Sequence, residues 1–203
     1  MDDLVLLRAA HLSCRGSNGA YFDELTFELR PGLSLVVGDR EAGRRALFEI
    51  VAGVRTPCAG HLTVSAPSVF WEGALTTVSE NASARAWFGQ VRDAFPTWND
   101  ALAVDLIEEI GLDEHLEKAL YMLSQGSRRK LGVVAAFACG ASLALLDTPF
   151  AALDARSSEL LNELFAEASE HPSRGWVISD YEVPAGLSDI SLATTIPLRA
   201  KSR

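Results

Sequence analysis

The sequence contains no apolar run of the ~18 residues that a membrane-crossing helix needs. Its first residues, with Asp2 and Asp3, lack the basic-then-apolar build of a signal peptide. Cysteine is scarce: Cys14, Cys58 and Cys139 fall at no metal-ligand spacing and read as packed thiols in a reducing compartment. Positive charge is short as well, with 18 Lys and Arg against 27 Asp and Glu and a net charge of −9. That balance excludes a general nucleic-acid binder. Internal repeats, low-complexity blocks and interdomain linkers are absent. The expectation is a cytosolic protein with no nucleic-acid partner, whose membrane contact comes only through another subunit.

What is present is core material. A chain of 203 residues with 48% hydrophobic content can bury one substantial core, or one core plus a small subdomain. The stretch from Leu123 to Asp154, LSQGSRRKLGVVAAFACGASLALLDTPFAALD, organises the rest. A polar turn with Ser124 or Ser127 as helix cap opens a helix that carries Arg128, Arg129 and Lys130 and then becomes small and apolar. Gly140 stops it, and the apolar run from Ser142 to Leu146 reads as a buried parallel strand. That strand ends in Asp147, and a carboxylate at the C-terminal end of such a strand lies where α/β sheets bind ligands.

Upstream, Leu4 to Leu7 and Leu25 to Leu29 alternate as strands around a turn at Gly16-Ser17-Asn18-Gly19. Leu33 to Val37 is a third apolar run, and Arg45 to Val54 has helical spacing. Strand, glycine-bounded loop and helix are the parts of a phosphate-binding loop, whose helix N-terminus offers free N–H groups and a positive dipole. The alternative is an ordinary strand-turn-helix with a solvated Arg pair. In the middle of the chain, Glu80 to Val91 and Asn99 to Ile110 have helical spacing, with Asn99 and Gly111 as caps. Trp87, Phe88, Phe95 and Trp98 read as core of that region. Arg156 to Ala168 is an amphipathic helix, Trp176 to Ser179 a short buried strand, and Val183 to Arg203 a tail with weak strand signals and a basic end.

LSQGS, LALLDTP and AALD stand in the order and at the spacing of three motifs of ABC transporter ATP-binding subunits, the signature LSGGQ, the Walker B strand LLLLDEP and the D-loop SALD. The chain resembles that family. The resemblance implies an α/β P-loop NTPase fold of ABC type, with a mostly parallel central sheet, an N-terminal antiparallel β part and an inserted helical subdomain. It implies a single domain over residues 1–203, with the subdomain at 80–130. The segment FPTWNDALAVDLIEEIGLDEHLEKALYMLSQGS resembles the exporter ATPases of the drug, bacteriocin and haem export kind.

The same resemblance exposes departures. Aligned with GxxGxGK followed by Ser or Thr, the segment GDREAGRRAL places Gly38 and Gly43 at the outer glycines and Glu41 at the middle one. Arg44 then holds the lysine position, Arg45 that of the Mg²⁺-binding hydroxyl, and Ala46 follows them in the nucleotide-binding segment. Glu72 stands at the Q-loop position, or else is an exposed turn glutamate. Thr148 replaces the catalytic glutamate. Asp180 replaces the H-loop histidine, where none of His11, His61, His115 and His171 stands. A threonine hydroxyl does not accept a proton as a carboxylate does, and losing a base typically removes ~10²–10⁴ in rate. A guanidinium has no lone pair for Mg²⁺, although its fork could bond phosphate oxygens in the ion's place. Asp147 is retained as the Mg²⁺ ligand, if the ion binds. Ser124, Gln125 and Gly126 of the signature turn and Asp154 of the D-loop are better kept.

The resemblance therefore implies a degenerate ATP-binding subunit that binds ATP weakly. It would pair with an active second subunit and couple to a transmembrane permease on the inner face of the membrane. The alternative is a non-catalytic ABC-fold scaffold or regulatory protein.

Overall fold

The computed structural model describes residues 4–17, 19–73 and 79–198; Asp2, Asp3, Asn18 of the expected turn and the basic end at 199–203 lie outside them. Among the described residues, two sheets and five α-helices form three layers. The first sheet joins β1 (Leu7–Gly16), β2 (Gly19–Leu29) and β4 (Ala59–Val64), antiparallel and in the order β2-β1-β4. The second is wholly parallel, in the order β5-β6-β7-β3-β8, built from β3 (Gly32–Val37), β5 (Val69–Trp71), β6 (Leu143–Asp147), β7 (Gly175–Asp180) and β8 (Thr194–Pro197).

Alternation along the parallel strands decides which layer each side chain joins. Leu143 and Leu145 of β6 and Val177 of β7 face α1 (Glu41–Val51) and the antiparallel sheet, in a core with Phe22, Leu47 and Phe48. Ala144, Leu146, Trp176 and Ile178 face the opposite layer. That layer holds α2 (Ala84–Ala94), α3 (Asp100–Glu109), α4 (Gln125–Ala138) and α5 (Ala155–Ser169). Because both faces are covered, the strands are buried almost throughout, as the apolar runs at 33–37, 142–146 and 176–179 predicted.

The first strand begins later than expected, at Leu7 instead of Leu4, and the second begins earlier, at Gly19. Register shifts inside β1, with His11 at φ +52° and Glu24 at φ +50°, break the period of two that marks a strand in sequence. The helix expected from Glu80 starts at Ala84, where Ser83 Oγ accepts from Ala86 N at 3.1 Å. Glu80 instead pairs with Arg128. Asn99 caps α3 as expected.

Helix α4 is held at both ends. Ser124 Oγ accepts from Ser127 N at its start. At its end the Arg174 guanidinium donates to the carbonyls of Ala136 and Phe137 and lies over the Trp176 ring, 4.5 Å from its centroid. Among the described residues no helix is long and apolar enough to cross a membrane.

Candidate functional site

The carboxyl ends of β3, β6 and β7 bring the expected site residues together, which is where an open parallel sheet holds ligands. Beyond β3 the chain runs through Gly38, Asp39 and Arg40 and enters α1 at Glu41, one turn before the expected start at Arg45. Gly43 N and Arg44 N both bond back to Arg40 O, at 3.0 and 3.2 Å, as helical amides do. Glu41 stands in place of the middle glycine, and neither Gly38 nor Gly43 takes a positive φ. The loop therefore winds into a helix turn instead of opening a nest of free amides.

Arg44 is the centre of this arrangement. It is 0% exposed. Its Nη1 donates to Gly38 O at 2.5 Å, its Nε lies 3.5 Å from Asp147 Oδ1, and its Cζ stands 4.1 Å from the centroid of the Tyr181 ring. Asp147 Oδ1 also accepts from Ser179 Oγ. The expectation that Arg44 reaches out toward phosphates is corrected: the side chain turns inward, because Gly38 O, Asp147 and Tyr181 together give a guanidinium partners that solvent-side residues do not. Among the described residues neither its Nε nor its Nη2 has a hydrogen-bond partner, so its contact with Asp147 is one of charge. Arg45 is half exposed and bonds Glu49 Oε1 at 3.1 Å, so it is neither free in solvent nor turned to Asp147. Ala46 is buried against the sheet and faces no open space.

This donor set does not fit Mg²⁺, which asks for several oxygen ligands. The carboxylate of Asp147 is engaged by Arg44 and Ser179, and position 45 offers a cation instead of a hydroxyl. Among the described residues no group of three or more His, Cys, Asp or Glu is arranged to hold a metal.

Thr148 follows Asp147 at φ +48°, an outlier for a β-branched residue. It is held there by Thr148 N donating to Ser179 O at 2.7 Å and by Thr148 O accepting from Ala151 N at 3.0 Å. Asp180 O accepts from Gly38 N at 3.1 Å, which ties the end of β7 to the start of the loop. Burial pushes the Asp180 carboxyl above the usual range, against a bond from Tyr181 N and the charge of Arg44.

Glu72 is buried, which removes the alternative of an exposed turn glutamate. Its Oε1 accepts from Asp147 N and from Arg129 Nη1, the latter at 3.2 Å, while Arg129 also donates to Asp147 O. One carboxylate so joins the ends of β5 and β6 to the first turn of α4. Gly132 makes room for it: a Cβ there would sit 2.7 Å from Glu72 Oε2. Burial pushes the Glu72 carboxyl up to about 7, with Arg129 opposing the shift. A cleft of about 250 Å³ opens beside it, lined by Glu41, Arg45, Trp71, Glu72, Gln125 and Asp147 among others.

The signature turn is built from local bonds. Ser124 caps α4 and its Oγ lies 2.9 Å from Ser127 Oγ. Gly126 packs against the D-loop so closely that a Cβ would meet Ala152 O at 2.4 Å. Asp154 caps α5 through Ser157 N at 2.9 Å and pairs with Lys130 Nζ at 2.8 Å. These bonds, Lys130 first, hold its carboxyl far below the usual carboxylate range. Gln125 is exposed.

Four residues beside the site were not assigned to it from the sequence: Ser179, Tyr181, Arg129 and Tyr21. Tyr21 lines an open pocket of about 410 Å³ with Gly19, Arg40, Glu41 and Ala42, beside the start of α1. Its ring lies across Gly16, where a Cβ would fall 2.2 Å from Tyr21 Cζ. An aromatic two residues past a turn glycine is the signal that could have found it.

Comparison with known proteins agrees with this geometry. Residues 22–151 match the ABC transporter family. The taurine import ATP-binding protein TauB of Pseudomonas aeruginosa is 28% identical over 184 residues, covering 85% of this chain and 70% of that protein. The cytochrome c biogenesis ATP-binding export protein CcmA of Pseudomonas syringae is 26% identical over 204 residues, 92% of this chain and 94% of that one. The spermidine/putrescine import ATP-binding protein PotA of Treponema pallidum is 33% identical over 157 residues, 70% of this chain and 41% of that one. Among solved structures, an ATP-binding subunit of an ABC transporter superposes with a TM-score of 0.76 at 18% identity, over 96% of this chain and 88% of that one. The inward-facing form of a metal-chelate type ABC transporter gives 0.73 at 19% identity, over 96% and 80%. With its three motifs in order on this fold, the chain belongs to the ABC transporter family as an ATP-binding subunit.

Proposed function

We propose that this subunit is the degenerate member of an ABC pair. Its own site turns over little or no ATP, and its signature turn serves the nucleotide held by an active second ATP-binding subunit. The pair couples to a transmembrane permease on the inner face of the membrane. Residues 1–203 act as one ABC-type domain, with residues 80–130 as its helical arm.

The observation that supports this most strongly is Arg44. Its buried guanidinium takes up the Asp147 carboxylate that an ATPase reserves for Mg²⁺. Thr148 and Asp180 remove the general base and the histidine from the same site. Nucleotide affinity at this site is accordingly weak and comes from Gly38, Gly43 and the first turn of α1. To stand in for Mg²⁺, Arg45 would have to leave its pairing with Glu49. Transport direction is proposed as import. The exporter-like phrase covers one segment, whereas the import relatives TauB and PotA match over most of the chain, although CcmA is named for export.

The test is phosphate release by the purified chain and by the complex isolated from solubilised membranes. The chain alone is expected at background, and turnover near ~1 per second that Asp147→Ala abolishes would overturn the proposal. In the complex, Gln125→Arg places bulk and charge on the exposed signature turn and leaves the Ser124 cap in place. It is expected to abolish activity with unchanged thermal unfolding of this subunit. Equal activity of mutant and wild-type complexes would instead select the second reading, a scaffold of ABC fold, which the internally filled site also favours.

A further inference from the structure

Cys14 and Cys58 lie far apart in sequence, yet the fold brings them together. Cys58 immediately precedes β4, where its N–H donates to Ser13 O at 2.8 Å and the next residue, Ala59, pairs with Ser13 of β1. Cys58 thus lies opposite the Ser13–Cys14 step. The two backbones are in close approach here: a Cβ at Gly60 would meet His11 O at 2.2 Å. Burial raises the Cys14 thiol above its ordinary range, with the nearby Arg55 guanidinium opposing and the Cys58 thiol adding to the shift. Glu49 Oε2 anchors Arg55 through its Nε at 2.6 Å. Cys14 is buried, Cys58 is exposed, and both are free thiols. Cys14 and Cys58 each adjoin the paired Ser13–Ala59 position, which brings them close to the ~4.4–6.8 Å Cα spacing that a disulfide spans.

We propose that Cys14 and Cys58 form a peroxide-sensitive dithiol, a modification site that closes to a disulfide between β1 and the start of β4. The exposed Cys58, as thiolate, attacks an oxygen of hydrogen peroxide. An S–O bond forms, the O–O bond breaks and the departing hydroxide takes a proton to leave as water. The Cys14 sulfur then attacks the Cys58 sulfur. The S–S bond forms, the S–O bond breaks, and the Cys14 proton leaves with the hydroxide as a second water. Two thiols are oxidised by two electrons and one peroxide is reduced. Arg55 is placed to stabilise the Cys14 thiolate in the second step. The closed bridge encloses β2, β3 and α1, so it fastens the antiparallel sheet around the helix that carries Arg44 and Arg45.

The test uses the intact chain, treated with hydrogen peroxide, quenched by alkylation under denaturing conditions and weighed by mass spectrometry. The expected result is the loss of two hydrogens, a linked peptide containing Cys14 and Cys58, and Cys139 as the remaining alkylatable thiol, with all three restored by a reductant. The thermal midpoint should rise on oxidation in the wild type and stay fixed in Cys58→Ser. In Cys14→Ser, Cys58 should stop at a sulfenic acid that dimedone traps. Three alkylatable thiols after treatment, Cys58 oxidised singly in the wild type, or Cys58 linked to a second copy would each overturn the proposal. The wild-type measurement stands even where Cys14→Ser fails to fold.

Discussion

The phosphate-loop side and the signature side of this subunit are built from the same kinds of parts, a turn feeding a helix beside a strand end, but they spend their polar groups differently. On the loop side the chain's own polar groups are turned toward one another. Arg44 neutralises Asp147, Gly38 O takes a hydrogen bond from it, and Tyr181 covers it. On the signature side the internal bonds only shape the turn: Ser124 caps α4, Asp154 caps α5, and Gln125 is left facing solvent. The comparison teaches that a motif residue can be drawn into an internal partnership, so the departures at 41, 44 and 45 are read as much by what they insert as by what they delete.

Arg44 gives the sharpest way to break the contrast. Arg44→Ala leaves Asp147 without its cationic partner and opens a cavity, and is expected to lower the unfolding free energy by about 3 kcal/mol. Chemical denaturation measures it; a loss under ~1 kcal/mol would mean that the guanidinium is not a structural group and the site is open to ligand. Gly126→Ala comes next. Its Cβ must displace the Ala152 carbonyl, so about 2 kcal/mol of stability should go, together with the activity of the complex. A neutral outcome would show that the turn and the D-loop are not packed as described.

Asp154→Ala should cost about 1 kcal/mol through the lost cap on α5, and its exposed pairing with Lys130 should add little, which repeating the melt at high salt checks. Glu72 gives an effect visible as a slope. Its carboxyl rises to about 7 in the folded chain, so the native state holds the proton more tightly than the unfolded one. This contribution to stability is complete below the unfolded carboxylate range and is lost as pH rises toward 7. Glu72→Gln keeps an acceptor for Asp147 N and should flatten stability against pH between about 5 and 7. A slope as steep in the variant as in the wild type would assign the dependence to other groups.

Much of the architecture was readable because burial wrote it in simple periods. The runs at 33–37, 142–146 and 176–179 are strands covered on both faces, and Asn99 and Ser124 announce helices by their chemistry. The first strand was readable only near its start at Leu7, since a bulge at His11 disrupts the alternation that would have marked the rest. The site was legible in membership but not in geometry. Asp147, Arg44 and Asp180 do meet at one sheet edge, yet an arginine in a loop reads as a solvated group. Its burial depends on Gly38 O and Tyr181, whose approach only the fold creates. Glu72 likewise needed Arg129 and Gly132 of a helix far along the chain, and no local pattern links them.

Helix α4 begins at the signature turn and ends under Arg174, whose guanidinium takes up its last carbonyls while stacking on Trp176 of β7. Every residue from Val133 to Ala138 is buried, so this part of the rod is enclosed by packing on all sides. A load applied at Ser124 would therefore pass along the rod toward its Arg174 end, and the Glu72–Arg129 link near its base is the contact placed to resist it.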